Sequence, residues 1–120
     1  MGNYRIPRVN AEIQRQLTEI LREIKDPRLT GMVSVTDVKV DGDLRTGKAF
    51  LSIYSQTREQ KLQSLEAVRA SAGFIRRSLA QRIPHIRQIP SLTYLLDESL
   101  DYGDKIDRIL SEIKKDGGAQ

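Results

Sequence analysis

Three short segments with the composition of β-strands restrict the folds that this chain of 120 residues can adopt. Residues 32–40 are rich in valine and alternate apolar with polar positions, and a polar loop separates them from a second strand-like segment, residues 48–55. The third segment, residues 91–96, comes only after a long helical stretch. The first two therefore predict an antiparallel hairpin, and the third predicts a strand that joins the sheet through a helical crossover.

The first strand is expected to contain an irregularity. Its apolar alternation over MVSVTDVKV slips by one place between Val35 and Val38. An extra residue in one strand of an antiparallel pair produces such a slip, because it shifts all later side chains to the other face. The pattern predicts a β-bulge near Thr36 and Asp37.

A helix is predicted from about Pro7 to Lys25, and Pro27 is expected to end it because the residue before a proline avoids helical geometry. Its apolar stripe is formed by Val9, Ile13, Leu17, Ile20, Leu21 and Ile24. Charges on the outer face alternate in sign at helical spacing, in Arg8, Glu12, Arg15, Glu19 and Arg22. We expect this face to be mostly self-neutralised, which leaves only Arg5 and Arg8 for a partner.

Two further helices are predicted between the hairpin and the last strand. Residues 59–72 have helical spacing, and a second pattern runs from Gly73 to Pro84. Gly73 interrupts the stretch at a cost of about 1 kcal/mol relative to alanine, so we expect it to mark a break. A last helix is predicted through Ile106, Ile109, Leu110 and Ile113. The economical arrangement is an α+β fold, a three-stranded sheet with helices packed on one face and polar residues such as Ser34 and Ser52 on the other.

Charge is unevenly distributed in a chain with a net charge of +4 and a pI near 9.6. Between Ala67 and Leu96 there are five arginines and no acid, whereas residues 97–116 carry seven acids against four bases. A segment of one sign in an otherwise balanced chain is typical of a nucleic-acid contact. The alternative is a solvated face whose arginines pair with acids elsewhere in the fold.

Catalytic and metal chemistry have little support. The chain has no cysteine and one histidine, His85, which we expect to be a surface or packing residue. The acids Asp97, Glu98, Asp101, Asp104 and Asp107 are better explained by a strand end and a helix N-terminus. We expect no enzyme activity, no metal and no cofactor. Nothing resembles a signal peptide or a membrane span, so a cytoplasmic protein without membrane contact is expected.

Arginine side chains suit RNA because they bind phosphates bidentately and stack on bases. Arg76 and Arg77 are expected in the first turn of the helix after the break, where free N–H groups favour anions. The other candidates are Arg82, Arg87, Arg69, Arg45, Lys48, Arg5 and Arg8. Aromatic residues are few, and Phe50 and Phe74 are expected in the core. Recognition of RNA shape and backbone is therefore favoured over base stacking.

Several motifs in this order resemble the ribosome-binding factor A family. They are ILREIKDPR from Ile20, VSVTDVKV from Val33, AGFIRRSLAQRI from Ala72, IPSLTYLLDES from Ile89 and LDYGDKIDRIL from Leu100. Together they cover almost the whole chain. The resemblance implies a type II KH-like domain in which an Ala-x-Gly kink replaces the usual GxxG loop. Here that kink reads Ser71-Ala72-Gly73.

The chain length predicts a single domain over residues 1–116, and the last residues predict a flexible tail at 117–120. The resemblance implies a monomeric, non-catalytic assembly factor that binds the small ribosomal subunit and its precursor and assists late maturation of 16S rRNA. An assembly GTPase that helps release is a further implied partner. Two alternatives remain open: a general KH-type module for single-stranded RNA, and a protein-interaction domain that docks an acidic partner.

Overall fold

The computed structural model describes residues 2–86 and 88–98, with side chains from Ile6 onward. Six elements follow one another along this part of the chain: α1 (Gly2–Leu21), β1 (Met32–Val40), β2 (Thr46–Tyr54), α2 (Arg58–Ala70), α3 (Ala72–Arg82) and β3 (Ser91–Leu96). Their order confirms the predicted α+β fold with helices inserted before the last strand. The predicted C-terminal helix and tail lie outside the described residues.

The sheet has the order β1-β2-β3, so the strand that follows the hairpin loop is central. β1 and β2 pair antiparallel, whereas β2 and β3 pair parallel. The β1–β2 register shifts between Val35, which faces Leu51, and Asp37, which faces Phe50. Thr36 is therefore the extra residue of a bulge, and the predicted slip in the alternation is confirmed.

One face of the sheet carries the hydrophobic core, and the helices pack against it. The core side chains of the strands are Val35, Val38, Val40, Ala49, Leu51, Ile53 and Tyr94. α1 contributes Ile13, Leu17, Ile20 and Leu21, and the two later helices contribute Leu65, Val68, Ile75 and Leu79. We call the opposite side of the sheet the open face. It is lined by Met32, Ser34, Lys39, Lys48, Phe50, Ser52, Tyr54, Thr93 and Leu95.

Helix side chains bond to the outer strands of the sheet. In α1, the Gln14 side-chain amide donates to the Val35 carbonyl at 3.1 Å, and Asn10 Oδ1 accepts from the Val40 N–H at 2.9 Å. On the other side, the Arg69 guanidinium of α2 donates to the Tyr94 carbonyl of β3, with Nη2 at 2.9 Å. Polar backbone groups on both outer strands are thereby satisfied by side chains rather than by another strand.

α1 ends earlier than the proline rule predicts. It stops at Leu21, and the next residues form tighter i to i−3 bonds, from Arg22 N to Glu19 O (3.2 Å) and from Glu23 N to Ile20 O (2.9 Å). Such 3₁₀-type bonds commonly use the last carbonyls of a helix. The helix also begins at Gly2, five residues before the predicted start, so Pro7 lies inside it.

Candidate nucleic-acid interface

A single residue, Ser71, separates α2 from α3. Its backbone, at φ −92° and ψ 12°, leaves the helical region, and α3 starts at the next residue. The Ser71 hydroxyl donates to the Ala67 carbonyl at 2.9 Å, and the Ser71 N–H donates to the carbonyls of Ala67 and Val68. A serine that bonds back to the carbonyl four residues earlier bends a helix. The kink therefore lies within the predicted triplet, at its first residue.

The prediction that Gly73 is the break was wrong by two residues. Gly73 is the second residue of α3, and a Cβ built on it would meet only Arg77 Nη1, at the ordinary contact distance of 3.4 Å. Arg76 and Arg77 are accordingly the fifth and sixth residues of α3 rather than part of its first turn. Their N–H groups are not among the free donors at the start of a helix, so that part of the argument for phosphate binding is removed.

Arg76 and Arg77 form the exposed cationic surface of α3. Both side chains face solvent, while Ile75, Leu79 and Ile83 are fully buried beneath them. Within residues 2–86 and 88–98, no ion pair involves either guanidinium. Guanidinium groups that have no ion pair with the rest of the described chain can bind phosphates without first breaking such a pair.

A small groove lies between the start of α3 and the start of β3. Its volume is about 200 Å³, and it is lined by Gly73, Arg76 and residues 89–92. Tyr94 also lines it, and burial raises the pKa of this phenol to about 12. The hairpin loop adjoins the groove, because the Arg45 carbonyl accepts from the Ser91 N–H at 2.9 Å. Arg76 therefore lines the groove itself, whereas Arg45 is linked to it only through the backbone bond to Ser91.

Arg82, another candidate, is engaged in contacts between helices. Its guanidinium bonds Glu19 at 2.9 Å and Glu23 at 2.5 Å, next to the pair of His85 Nε2 with Glu12 at 3.0 Å. The expectation that the acids of α1 neutralise the arginines of the same helix was therefore wrong. Glu19 of α1 and Glu23, two residues after that helix, bind Arg82 of α3, and Glu12 binds His85, three residues beyond α3. His85 is exposed, in line with its predicted surface role.

The remaining candidates are spread over the domain. Arg69 bonds the Tyr94 carbonyl and Glu66, so it supports the edge of β3. Arg8 is exposed on α1, and Lys48 lies on the open face. The side chain of Arg5 and all of Arg87 lie outside the described residues. Among the predicted positions whose side chains are described, Arg76 lines the groove, and Arg45 and Arg69 bond the backbone of two residues that line it, Ser91 and Tyr94. Arg77 follows Arg76 on α3 but is not a lining residue.

Both phenylalanines lie outside the core, contrary to expectation. Phe74, in the first turn of α3, is 36% exposed. Phe50 faces away from the helices, and Lys39 Nζ lies 5.8 Å from its ring centroid in a cation–π contact. Lys39 was not a predicted site residue. Lys39 is the register partner of Lys48, and Phe50 is two residues further along β2. The alternation of side chains along the two strands could therefore have placed all three residues on one face of the sheet.

The described residues offer no metal site. Within residues 2–86 and 88–98, no three histidine, cysteine or acidic side chains are close enough to hold an ion. Asp97 accepts from the Thr36 hydroxyl at 2.6 Å, and Glu98 pairs with Arg58 at 2.7 Å. The acids at 101, 104 and 107 lie outside the described part of the chain. No described helix combines the length and apolarity needed to cross a membrane.

Comparison with known protein families matches residues 5–110 to the family described as Ribosome-binding factor A. Among curated relatives, ribosome-binding factor A of Clostridium beijerinckii is 45% identical over 116 residues, which is 96% of this chain and 98% of the relative. Both matches span the motifs from which the resemblance was inferred, and that inference is confirmed.

Solved structures support the fold. The crystal structure of ribosome-binding factor A from Thermus thermophilus is 22% identical, with a TM-score of 0.67 over 78% of this chain and 97% of that one. A homology model of the Thermus thermophilus factor, fitted into a cryo-electron-microscopy map of a 30S–RbfA complex, is also 22% identical. Its TM-score is 0.61 over 74% of this chain and 91% of that one. At these identities the likeness establishes a shared fold.

Proposed function

Because the chain belongs to the ribosome-binding factor A family, we propose that it binds the small ribosomal subunit and its precursor. The observation that carries the proposal is the family match over residues 5–110. Relatives that cover nearly the whole chain are named for ribosome binding, and a structural neighbour has been fitted into a complex with the 30S subunit. Arg76 and Arg77, which are exposed and form no ion pair with the described part of the chain, supply a surface suited to ribosomal RNA.

The binding surface in this proposal is the outer side of α3 together with the adjoining groove. Arg76 and Arg77 bind phosphates of folded 16S rRNA, and the buried apolar face of α3 holds their helix in place. Phosphate contacts of this kind position a protein without reading base sequence. Recognition therefore depends on the RNA conformation that presents its phosphates at the spacing of the two arginines.

A factor of this kind assists maturation without an active site. If it binds the mature-like conformation of 16S rRNA more tightly than immature ones, binding shifts the population by that difference in affinity. In this proposal the protein is a non-enzymatic, cytoplasmic monomer whose single domain extends to residue 116. Its release from the matured subunit is a separate event, for which an assembly GTPase is the expected partner.

Co-sedimentation with ribosomal particles tests the proposal. The protein is expected to sediment with free small subunits and not with whole ribosomes. Arg76→Glu/Arg77→Glu should weaken subunit binding by on the order of 10- to 100-fold, since each lost charge-assisted bond contributes about 1.5–3 kcal/mol, partly offset by solvent. Arg22→Glu/Lys25→Glu makes the same change in net charge at exposed positions outside α3 and should retain most binding.

The outcomes separate the alternative functions. Absence of sedimentation with small subunits at both low and moderate salt would contradict the proposal. Equally tight binding to short unstructured oligonucleotides would favour a general single-strand RNA module. Full subunit binding by the α3 double variant would point to a protein contact elsewhere. For RNA contact, the slope of log affinity against log salt should be smaller by about 1.4–1.8 in this variant, at roughly 0.7–0.9 per phosphate.

A further inference from the structure

One aromatic side chain is exposed beside the arginines of α3. Within the described part of the chain, the exposed large apolar side chains are Met32, Tyr54, Leu62 and Phe74. Met32 and Tyr54 lie on the open face, and Leu62 lies on α2. Phe74, which is 36% exposed, is therefore the one of these four that shares a helix with Arg76 and Arg77.

The Arg77 guanidinium lies next to the turn that carries Phe74. Residues three apart on a helix are neighbours on its surface, at about 5–6 Å between Cβ atoms, and Arg77 follows Phe74 by three. A Cβ built on Gly73 would lie 3.4 Å from Arg77 Nη1, so the guanidinium reaches back over Gly73, where α3 begins. Phe74 and this positive charge are thus neighbours on the solvent side of α3.

An exposed aromatic ring beside a cation matches the two parts of a nucleotide. The ring offers a flat surface on which an unpaired base stacks, and the guanidinium binds a phosphate next to that base. A single exposed apolar residue needs no functional explanation by itself, but here the neighbouring charges favour an anionic partner. Ile75, Leu79 and Ile83 are fully buried on the other side of α3, so the core holds the backbone that carries both groups.

We propose that Phe74 stacks on an unpaired base of 16S rRNA, next to the phosphates that Arg76 and Arg77 bind. This inference rests on the proposed function, because the stack belongs to the same RNA contact. It adds a requirement that phosphate contacts alone do not make, namely that the RNA presents an unstacked base beside the bound phosphates. A continuous double helix does not meet this requirement, so the surface selects a loop, a bulge or a junction of the RNA.

Phe74→Trp tests for the stack directly. The chain has no tryptophan, so this variant carries a single indole in place of the ring. A base that stacks on the indole quenches its fluorescence, and we expect strong quenching by small subunits and by free 16S rRNA transcribed in vitro. Tyr54→Trp, on the open face, is the matched control and should keep its emission. Emission from Phe74→Trp that neither probe changes would overturn the proposal.

Binding measurements separate stacking from a structural role. Phe74→Leu keeps an apolar side chain without the ring and should weaken binding to both probes by about 5- to 150-fold, as expected for the loss of one base–aromatic stack. Because the ring is uncharged, the slope of log affinity against log salt should stay as in the natural protein, unlike that of the α3 double variant. Phe74→Trp and the control Tyr54→Leu should retain binding, and denaturant unfolding should show that Phe74→Leu is folded.

The outcomes distinguish this inference from the proposed function. Natural affinity of Phe74→Leu for both probes would contradict the stack. Weaker binding to subunits alone, with free 16S rRNA bound as tightly as before, would indicate a protein partner at Phe74 and would also contradict it. If the natural protein bound free 16S rRNA and Phe74→Trp were quenched by it, yet neither sedimented with small subunits, the proposed function would be wrong and the stack would stand.

Discussion

Ser71 and Gly73 show how two neighbouring residues of similar size act differently on one helical stretch. The serine hydroxyl bonds back to the Ala67 carbonyl, and the backbone departs from helical geometry at the serine itself. The glycine lies inside α3, and a Cβ built on it would make only an ordinary contact with the Arg77 side chain. The missing side chain of Gly73 therefore lowers helix stability without a packing reason, whereas Ser71 lies at the break between α2 and α3.

Gly73→Ala should therefore stabilise the protein. Alanine is favoured over glycine in a helix interior by up to about 1 kcal/mol, and the added Cβ makes only an ordinary contact with Arg77. Denaturant unfolding followed by circular dichroism measures the change, and binding to small subunits should be unaltered. A loss of stability, or a loss of binding without it, would restore the view that the kink needs this glycine.

Gly31→Ala is the matched comparison, and we expect it to lower the stability that Gly73→Ala raises. A Cβ at this position would lie 2.6 Å from the Tyr54 carbonyl oxygen and would overlap the Ser55 hydroxyl. Backbone atoms of a central strand cannot move away freely, so the overlap should cost about 1–3 kcal/mol. The same denaturant titration measures this loss, and a Gly31→Ala protein as stable as the natural one would contradict the steric argument.

Among the elements, the strands followed their sequence patterns more closely than the helices did. Alternation predicted the limits of β1 and β3 and the bulge at Thr36, because a strand with one buried face records its register in every second residue. Proline was a poor guide to the end of α1, since local 3₁₀ bonds stop the helix before Pro27 is reached. Phe50 was misplaced because hydrophobicity was allowed to outweigh its position in the alternation.

Sequence reasoning listed the candidate cations but could not identify which of them have partners within the fold. It placed Arg76 and Arg77 toward solvent because the apolar residues of α3 occupy the buried side of the helix. It had no means of separating them from Arg82 and Arg69, whose partners include Glu19 and the Tyr94 carbonyl, remote in the chain. Contacts between residues that are far apart in the sequence depend on how the helices and strands pack. The spacing of residues within one helix does not reveal them.

Arg82 of α3 stabilises the contact with α1 through its ion pairs with Glu19 and Glu23. Arg82→Gln keeps much of the side chain but loses the pairs with Glu19 and Glu23, and should lower the unfolding free energy by about 1 kcal/mol. The loss should shrink in roughly 1 M salt, where exposed charges are screened. Arg77→Gln, measured alongside, should change stability by less than about 0.5 kcal/mol. An effect of Arg82→Gln that persists in a Glu19→Gln/Glu23→Gln background would refute the ion-pair explanation.

For the molecule as a whole, the unfolding free energy depends on whether the phenol of Tyr94 is ionised, because this side chain is buried in the core between the sheet and the helices. This side chain faces the helices from β3 and is 4% exposed, and burial raises its pKa from 10.0 to about 12. Folding thus favours the neutral phenol. Its contribution is fully present below pH 10 and is lost as the pH rises from about 10 to about 12.

Tyr94→Phe should remove this dependence. Between about pH 9 and pH 11 the natural protein should lose about 1 kcal/mol more unfolding free energy than the variant, at roughly 1.36 kcal/mol per unit of pKa difference. Urea unfolding at a series of pH values measures the difference, and lysines contribute equally to both proteins. Parallel pH profiles for the two proteins would show that the phenol does not ionise with unfolding.

The side chains that bond to the outer strands have a consequence for behaviour at high concentration. A free strand edge is a template on which other chains can build intermolecular sheets, and proteins block it to avoid aggregation. Here Asn10 and Gln14 bind backbone groups of β1, and Arg69 binds one of β3. Strand addition at these positions, by a peptide or by a misfolded copy, would first have to displace them.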